Sequence, residues 1–90
     1  MRELAVARKQ VPDAEGQMHT YDYAILVGET PVAEGVVCES YGVCIRGRDG
    51  EMEQVPDITV SAARIDELLD LLVRNSVAPC TLRDVLDDWL

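Results

Sequence analysis

The chain is predicted to be an α+β domain in which a four-stranded antiparallel meander sheet is followed by a two-helix hairpin packed on one face. Two observations predict this order. The first half alternates apolar and polar residues, and after Pro56 the apolar residues recur at helical spacing. We predict a single domain over residues 1–90, with strands over roughly 3–10, 18–27, 35–47 and 51–55 and helices over roughly 62–74 and 82–90.

The first two strands are predicted from their alternation. Leu4 and Val6 share one face of the first strand. One face of the second strand carries Tyr21, Tyr23, Ile25 and Val27. The stretches PDAEG at 12–16 and GETP at 28–31 contain the glycine and proline that interrupt strand pairing, so each is predicted to turn the chain.

A hairpin over residues 35–55 is predicted to turn at Asp49-Gly50 through a two-residue loop with both residues at positive φ. Pairing outward from this turn predicts two cross-strand ion pairs on the solvent face, Arg48 with Glu51 and Arg46 with Glu53. The core face then carries Ile45 and Met52, and a slip of one residue would exchange the two faces.

A second possibility splits the third strand by a turn at residues 40–42, with Gly42 as the left-handed residue of a three-residue loop. The split would place Cys38 opposite Cys44. On a continuous strand the same two cysteines lie about 20 Å apart, because a strand rises about 3.3 Å per residue.

Two amphipathic helices are predicted after the sheet. The stripe of the first is Ile65, Leu68, Leu69 and Leu72. Ser61 is a suitable N-cap for this helix, and Asn75 can end it in a left-handed conformation. The second helix begins after Thr81, which has the capping-box spacing to Asp84. Its stripe is Leu82, Val85, Leu86 and Trp89.

The net charge of −9 is uneven, because residues 49–90 hold ten acidic and three basic side chains against seven and five before them. Such a surface repels phosphate backbones and anionic lipid, so we expect no nucleic-acid or membrane partner. No apolar stretch approaches the roughly 20 residues that cross a bilayer, and the opening MRELAVARKQ has too few apolar residues for a signal peptide. We therefore expect a cytoplasmic protein with reduced cysteines.

No catalytic constellation is recognisable in the sequence. The only histidine, His19, is far in sequence from any candidate nucleophile, and no glycine-rich loop opens a helix. We expect a protein that is not an enzyme and needs no cofactor. The alternative is a small-ligand or metal-binding domain that uses Cys38, Cys44 and His19, and its metal version depends on the split third strand.

Six residues are predicted to contribute to interaction surfaces: Leu71, Asp84, Asp87, Asp88, Cys38 and Cys44. Leu71 lies away from the apolar stripe of its helix. Carboxylates near a helix C-terminus oppose the macrodipole, and like charges four residues apart repel, so the three aspartates suggest a docking patch for a basic partner. The two cysteines belong to a sheet face of small and apolar residues, which suggests homodimerisation.

The strand containing Tyr41-Gly42-Val43, the hairpin after it and the closing VAPCTLRDVLDDWL of residues 77–90 resemble short bacterial proteins of Gram-positive gut anaerobes that form a family of unknown function. The resemblance covers most of the chain and implies one cytosolic domain without an assigned activity. We therefore expect a non-enzymatic protein-interaction or regulatory module, whose partner is an unknown protein or a second copy.

Overall fold

A computed structural model describes residues 1–48 and 50–90. It contains four strands, two helices and one 3₁₀ turn: β1 (Arg2–Pro12), β2 (Met18–Ala33), β3 (Val36–Arg46), β4 (Met52–Thr59), α1 (Ala62–Arg74), the turn Pro79–Thr81 and α2 (Leu82–Trp89). The strands pair antiparallel in the order β1-β2-β3-β4. The predicted meander followed by two helices is confirmed.

One face of the sheet, here called the helix face, packs against both helices. Its core consists of alternate residues of β2 and β3 together with the predicted helix stripes. The fully buried side chains of this core are Tyr23, Val43, Ile45, Ile65, Leu68, Leu72 and Leu82. The alternation in β2 and β3 therefore assigns the faces of these two strands correctly.

The register of the β3–β4 hairpin differs from the predicted one by one residue. Arg46 lies opposite Met52 and Ile45 opposite Glu53, and the amide of Gly47 donates to the carbonyl of Glu51. Three residues therefore lie between the hydrogen-bonded Gly47 and Glu51, instead of the two residues of the predicted turn. The predicted turn falls partly on Asp49, which lies outside the described residues.

This shift moves every β4 side chain to the face opposite its predicted one. Met52 is 45% exposed on the outer face instead of lying in the core. Glu53 faces the helices, where the Arg83 guanidinium lies 3.3 Å from its carboxylate. Arg46 instead reaches Glu3 on β1, at 2.6 Å. The predicted pairing of Arg46 with Glu53 is therefore wrong, and so is the opposition of Arg48 to Glu51.

Strand β3 continues without a turn through residues 40–42, so the split-strand alternative is wrong. The irregularity lies in β4, where the pairing jumps from Val43 opposite Val55 to Tyr41 opposite Thr59. The extra β4 residues bulge against Gly42. Asp57, at a φ of 55°, belongs to this bulge and accepts a hydrogen bond from the hydroxyl of the buried Ser40.

Strands β2 and β3 extend beyond their neighbours to form a projecting two-stranded ribbon, residues 28–40, which we call the arm. Pairing with β1 stops at Val27, and pairing with β4 stops at Tyr41. The turn predicted at 28–31 is wrong, because this segment continues β2 and the chain turns at Glu34-Gly35. Proline is tolerated at position 31 because β2 has no neighbour on its β1 side there.

The first strand contains a bulge that the sequence pattern does not predict. Pairing between β1 and β2 shifts between Ala5 and Ala7, so Val6 has no partner on β2. The predicted alternation that includes Leu4 and Val6 is therefore interrupted at Val6. Both side chains are about half exposed. Bulges of this kind are frequent on edge strands, where they discourage pairing with other chains.

Helix α1 has the predicted bounds and the predicted N-cap, but its C-terminal cap differs from the predicted one. The Ser61 hydroxyl accepts a hydrogen bond from the Arg64 amide at 3.2 Å, which confirms the N-cap. At the other end Asn75 has a φ of −93°, and it is Ser76 that is left-handed, with a φ of 52°. The amides of Ser76 and Val77 bond back into α1 in a Schellman pattern.

We expect Ser76→Gly to stabilise the protein by about 0.5–1 kcal/mol, because glycine adopts a positive φ without the steric penalty of a Cβ. Urea unfolding at neutral pH measures the change. Asn75→Gly is the matched control, because Asn75 has a negative φ and donates its side-chain amide to the Leu71 carbonyl at 2.8 Å. A gain at position 75 and none at 76 would contradict this assignment of the cap.

The predicted capping box of α2 is wrong. Thr81 ends the 3₁₀ turn, and its hydroxyl donates to the Ala78 carbonyl at 3.1 Å instead of accepting from the first turn of α2. The connection is fixed by the buried Pro79 and by a hydrogen bond from the Tyr23 hydroxyl to the Val77 carbonyl at 2.9 Å. The sheet therefore holds the start of α2 through its connection.

Candidate functional site

A shallow apolar groove lies along the seam between α1 and α2. It is lined by Leu71 from α1 and by Val85, Asp88 and Trp89 from α2, and it encloses about 270 Å³. We call these four residues the seam groove. Three of its four lining side chains are apolar, and the fourth is a carboxylate at its rim.

Helix geometry explains why Leu71 reaches the seam. At 100° per residue, Leu71 projects from the same flank of α1 as Arg64, beside the stripe that faces the sheet. The structure places α2 along this flank, so Leu71 is half-buried and packs against the core cluster. The residue that the sequence marks as lying outside its own stripe thus forms one wall of the groove.

Trp89 forms the opposite wall, and Arg64 fixes its ring. The Arg64 guanidinium carbon lies 4.4 Å from the centroid of the indole, within the range of a cation–π contact. This contact joins the last turn of α2 to the first turn of α1. Trp89 is the only tryptophan in the chain, so its fluorescence reports on the groove.

The three predicted aspartates of α2 differ in position. Asp88 lines the seam groove, and Asp84, one turn earlier, lies on the same side of the helix. Asp87 projects about 100° away from Asp88 and points to solvent. Asp84 is in the first turn, where the helix dipole favours a negative charge, whereas Asp87 and Asp88 are in the last turn, where it does not.

These aspartates have no cationic partner in the described part of the chain. Each arginine of the helices pairs elsewhere: Arg64 with Glu67, Arg74 with Asp70, and Arg83 with Glu53. The rim of the seam groove therefore carries carboxylates without an ion-pair partner beside an apolar surface.

Cys44 is not accessible for an interaction. It is 0% exposed and forms a small cluster with Ala24 and Leu26 on the outer face of the sheet, opposite the helices. Arg46 crosses β2 on this face to reach Glu3, so its aliphatic stem helps to cover the cluster. Burial raises the pKa of the Cys44 thiol, which keeps it protonated and unreactive.

The other predicted cysteine, Cys38, is half-buried in the arm, away from the seam. Because β3 is continuous, Cys38 and Cys44 stay six residues apart along one strand. His19 stacks on Tyr21 of the helix face, whereas both cysteines belong to the outer face. The geometry on which the metal alternative depended is therefore wrong. Among residues 1–48 and 50–90, no three potential ligands cluster closely enough for a metal ion.

His19 has a local partner. Its Nε2 lies 2.9 Å from the Asp13 carboxylate, which also accepts hydrogen bonds from the amides of Glu15 and Gln17 in the β1–β2 loop. The hydrogen bond from His19 is the main cause of a lowered pKa for the Asp13 carboxyl. This cluster organises a hairpin loop.

Two larger hollows occur on the sheet, and ion pairs line both. One of about 560 Å³ at the base of the arm contains Arg2 and Glu39, which pair at 3.3 Å. The other, of about 480 Å³ on the outer face, contains Arg8, whose guanidinium lies 2.6 Å from Asp22. Both hollows contain an ion pair, whereas the carboxylate that lines the seam groove has no ion-pair partner among the described residues.

Val85 and Trp89 were predicted only as members of the apolar stripe of α2, but they also line the seam groove. Both are half-buried, because their side chains also contact the seam. Leu71 is the residue whose position in the sequence indicates this groove, because a leucine outside the apolar stripe of its helix indicates a second contact surface. Only the placement of α2 beside α1 identifies what that surface adjoins.

The fold and the groove together define a small α+β domain in which the seam groove and the two larger hollows are open to solvent. The chain belongs to a family of unknown function, DUF6514, which matches residues 2–90. No curated protein and no solved structure matches this chain. Within the described residues, neither helix has the length and apolar character needed to span a bilayer.

Proposed function

We propose that this chain is a non-enzymatic protein-interaction module that binds a basic, amphipathic segment of a partner protein in the seam groove. The observation that carries the proposal is the juxtaposition of three apolar walls with the unpaired carboxylates of Asp84 and Asp88. An aliphatic side chain of the partner would occupy the groove, and its lysines or arginines would approach the rim.

The size of the groove favours a side chain over a free small molecule. A void of about 150 Å³ accommodates benzene, and clefts for small-molecule ligands enclose about 300–1,000 Å³. At about 270 Å³ the seam groove lies between these values, and it is open to solvent along the helices. The seam groove is therefore better suited to a side chain of a partner protein than to a free small molecule.

The cost of the acidic rim to stability supports a role in binding. Asp88 opposes the dipole of α2 and also repels Asp84 four residues earlier. No ion pair among the described residues offsets these terms. Carboxylates that weaken their own helix fit a surface used for recognition.

The net charge and the cysteines of the chain support the proposed kind of partner and the proposed location. A chain of net charge −9 repels nucleic acids and anionic lipid, so we place its partners among proteins. Its three cysteines are unpaired, as is usual in a reducing compartment, and a cytoplasmic location follows as part of the proposal. The bacterial, Gram-positive source implied by the resemblance stays a prediction.

The proposal can be tested with a synthetic peptide of about 14 residues that has leucines at helical spacing and lysines elsewhere. Titration into the protein is followed by Trp89 fluorescence, since the peptide contains no tryptophan. We expect a saturable change that weakens as salt is added. A peptide of the same pattern with glutamates in place of lysines is expected to produce no change.

Asp88→Asn and Asp87→Asn form a matched pair for this experiment. Both remove one charge from the last turn of α2, but only Asp88 lines the seam groove. We expect Asp88→Asn to weaken peptide binding about three- to tenfold and Asp87→Asn to change it less than about twofold. Equal losses in both variants would indicate attraction without a site and would contradict the proposal.

Both variants are also expected to be slightly more stable than the wild type. Each relieves an unfavourable charge at the C-terminal end of α2, which is worth a few tenths of a kcal/mol. Asp88→Asn gains a further small amount because it removes the repulsion with Asp84. Thermal unfolding at low salt measures this, and a loss of stability on Asp88→Asn would contradict the assignment of this residue to recognition.

A further inference from the structure

The arm presents an unpaired strand edge, which the proposed function does not use. Beyond Tyr41 no described strand pairs with β3 on its β4 side, so the backbone of Val36–Glu39 borders solvent. An isolated two-stranded ribbon is marginally stable in water, and a free edge is a template for a further strand.

The two edges of the arm are not equivalent. The β2 edge contains Pro31, which cannot donate a backbone hydrogen bond, and a bulge between Pro31 and Ala33. The β3 edge has neither interruption over Val36–Glu39. The β3 edge is therefore the one able to accept another strand.

The side chains along this edge are apolar and unusually exposed. Val36 and Val37 are 49% and 57% exposed, and Val32 on the neighbouring strand is 53% exposed. Within residues 30–38 the only charged residue is Glu34, at the turn. In a chain of net charge −9, this stretch offers a basic partner only one carboxylate, at the turn.

We propose that the arms of two copies pair, with the β3 edges of Val36–Glu39 running antiparallel across a two-fold axis. An antiparallel strand pair is self-complementary under two-fold symmetry, so each copy offers the other the same backbone groups and the same valines. The pairing joins two ribbons into one four-stranded sheet.

Charge repulsion between the copies does not prevent this contact. Glu39, at the end of the edge, pairs with Arg2 at 3.3 Å, and Glu29 opposite it on β2 is the remaining carboxylate at the base of the arm. The acidic helix α2 lies over the far part of the sheet, where Arg83 contacts Glu53 opposite Ile45. From Ile45 to Val37 the strand covers about 27 Å, or about three Debye lengths at physiological salt.

The association is weak because the contact is small. Four residues of strand extend about 13 Å, and the buried area falls in the range below about 1,200 Å² that is typical of transient complexes. Sedimentation velocity between about 20 μM and about 1 mM covers the concentrations at which such an interface is populated. We expect the weight-average mass to rise toward that of a dimer over this range.

Val37→Lys and Val60→Lys provide the matched test. Both valines are exposed to nearly the same extent, 57% and 55%, but Val60 follows β4 and lies outside the arm. We expect Val37→Lys to weaken self-association at least about tenfold, because lysine on an edge strand opposes pairing, and Val60→Lys to leave it unchanged. Circular dichroism of each variant confirms that the fold is retained.

Cys38 offers an independent readout. In a Cys80→Ser background it is the accessible thiol, since Cys44 is fully buried. A short bismaleimide is expected to link two chains through Cys38 in this background, and to link far fewer when Val37→Lys is added. Leu71→Glu in the seam groove is expected to leave the cross-link unchanged, which separates this proposal from the proposed function.

If the wild-type chain stays monomeric at about 1 mM, the two edges do not pair with each other, and the proposal is overturned. Equal self-association in Val37→Lys and wild type would overturn it as well, because the contact would then lie elsewhere on the surface.

Discussion

Gly42→Ala is expected to destabilise the protein by about 3 kcal/mol or more. A Cβ at position 42 would lie 2.6 Å from the Cα of Pro56 and would collide with the Val55 carbonyl oxygen. Both atoms are backbone, so no side-chain rotation relieves the overlap. The bulge of β4 would have to move away, and the hydrogen bond between Ser40 and Asp57 would weaken with it.

Gly28→Ala is the control for this prediction. Gly28 lies on the neighbouring strand of the same face, and a Cβ there meets the Ser40 hydroxyl and the Asp57 carboxylate at 3.7 and 3.8 Å, which is ordinary contact. We expect Gly28→Ala to change the free energy of unfolding by less than about 1 kcal/mol in urea denaturation. Similar losses in the two variants would show that the close approach of β4 is not what requires glycine at position 42.

The second large effect is a loss of stability at alkaline pH that depends on Tyr23. Burial raises the pKa of the Tyr23 hydroxyl from 10.0 to about 12. Between these values the unfolded chain loses the proton while the folded chain keeps it, so the folded state binds more protons and stability falls as pH rises. The contribution is intact below pH 10, and about 2–3 kcal/mol is lost by pH 12.

Tyr23→Phe isolates this contribution. At pH 7 the variant is expected to be less stable by about 1–3 kcal/mol, because the buried Val77 carbonyl loses its hydrogen bond. Between pH 10 and pH 11.5 it is expected to lose less stability than the wild type, since the buried hydroxyl is gone. Tyr41→Phe removes a hydroxyl that bonds only the exposed Glu39, so this control should keep the steep alkaline loss. Parallel pH profiles for wild type and Tyr23→Phe would contradict the prediction.

Local patterns predicted several parts of the fold accurately. The alternation from Tyr21 to Val27 assigns the buried face of β2, and the bounds of α1 follow from the Ser61 cap and the leucine spacing. These features depend on hydrogen bonds and side-chain periods within a few residues, which the sequence displays directly.

The register of the β3–β4 hairpin could not be predicted from the residues of the hairpin alone. An Asp-Gly pair is compatible with both two- and three-residue loops, and each predicted ion pair is worth only a few tenths of a kcal/mol. Burying Val55 opposite Val43 and pairing Glu53 with Arg83 favour the other register. Arg83 is thirty residues from Glu53, so the residues of the hairpin alone could not indicate that contact.

The candidate site was predictable in part. Leu71 and Asp88 were selected from sequence for separate reasons, and the structure brings them into one groove. Cys44 was selected for the outer face of the sheet, but the cross-strand Arg46 and Glu3 pair helps to bury it. Residues 28–31 of the arm were mistaken for a turn, because a proline and a glycine within four residues usually end a strand.

The sequence by itself determined the order of the elements, the two faces of β2 and β3, and the start of α1, because each of these depends on neighbours in the chain. The tertiary structure alone decided which face β4 presents, how far β2 and β3 extend and what lies beside Leu71. These outcomes depend on contacts between residues distant in sequence, where a shift of one residue or an absent neighbouring strand changes which side chains reach solvent.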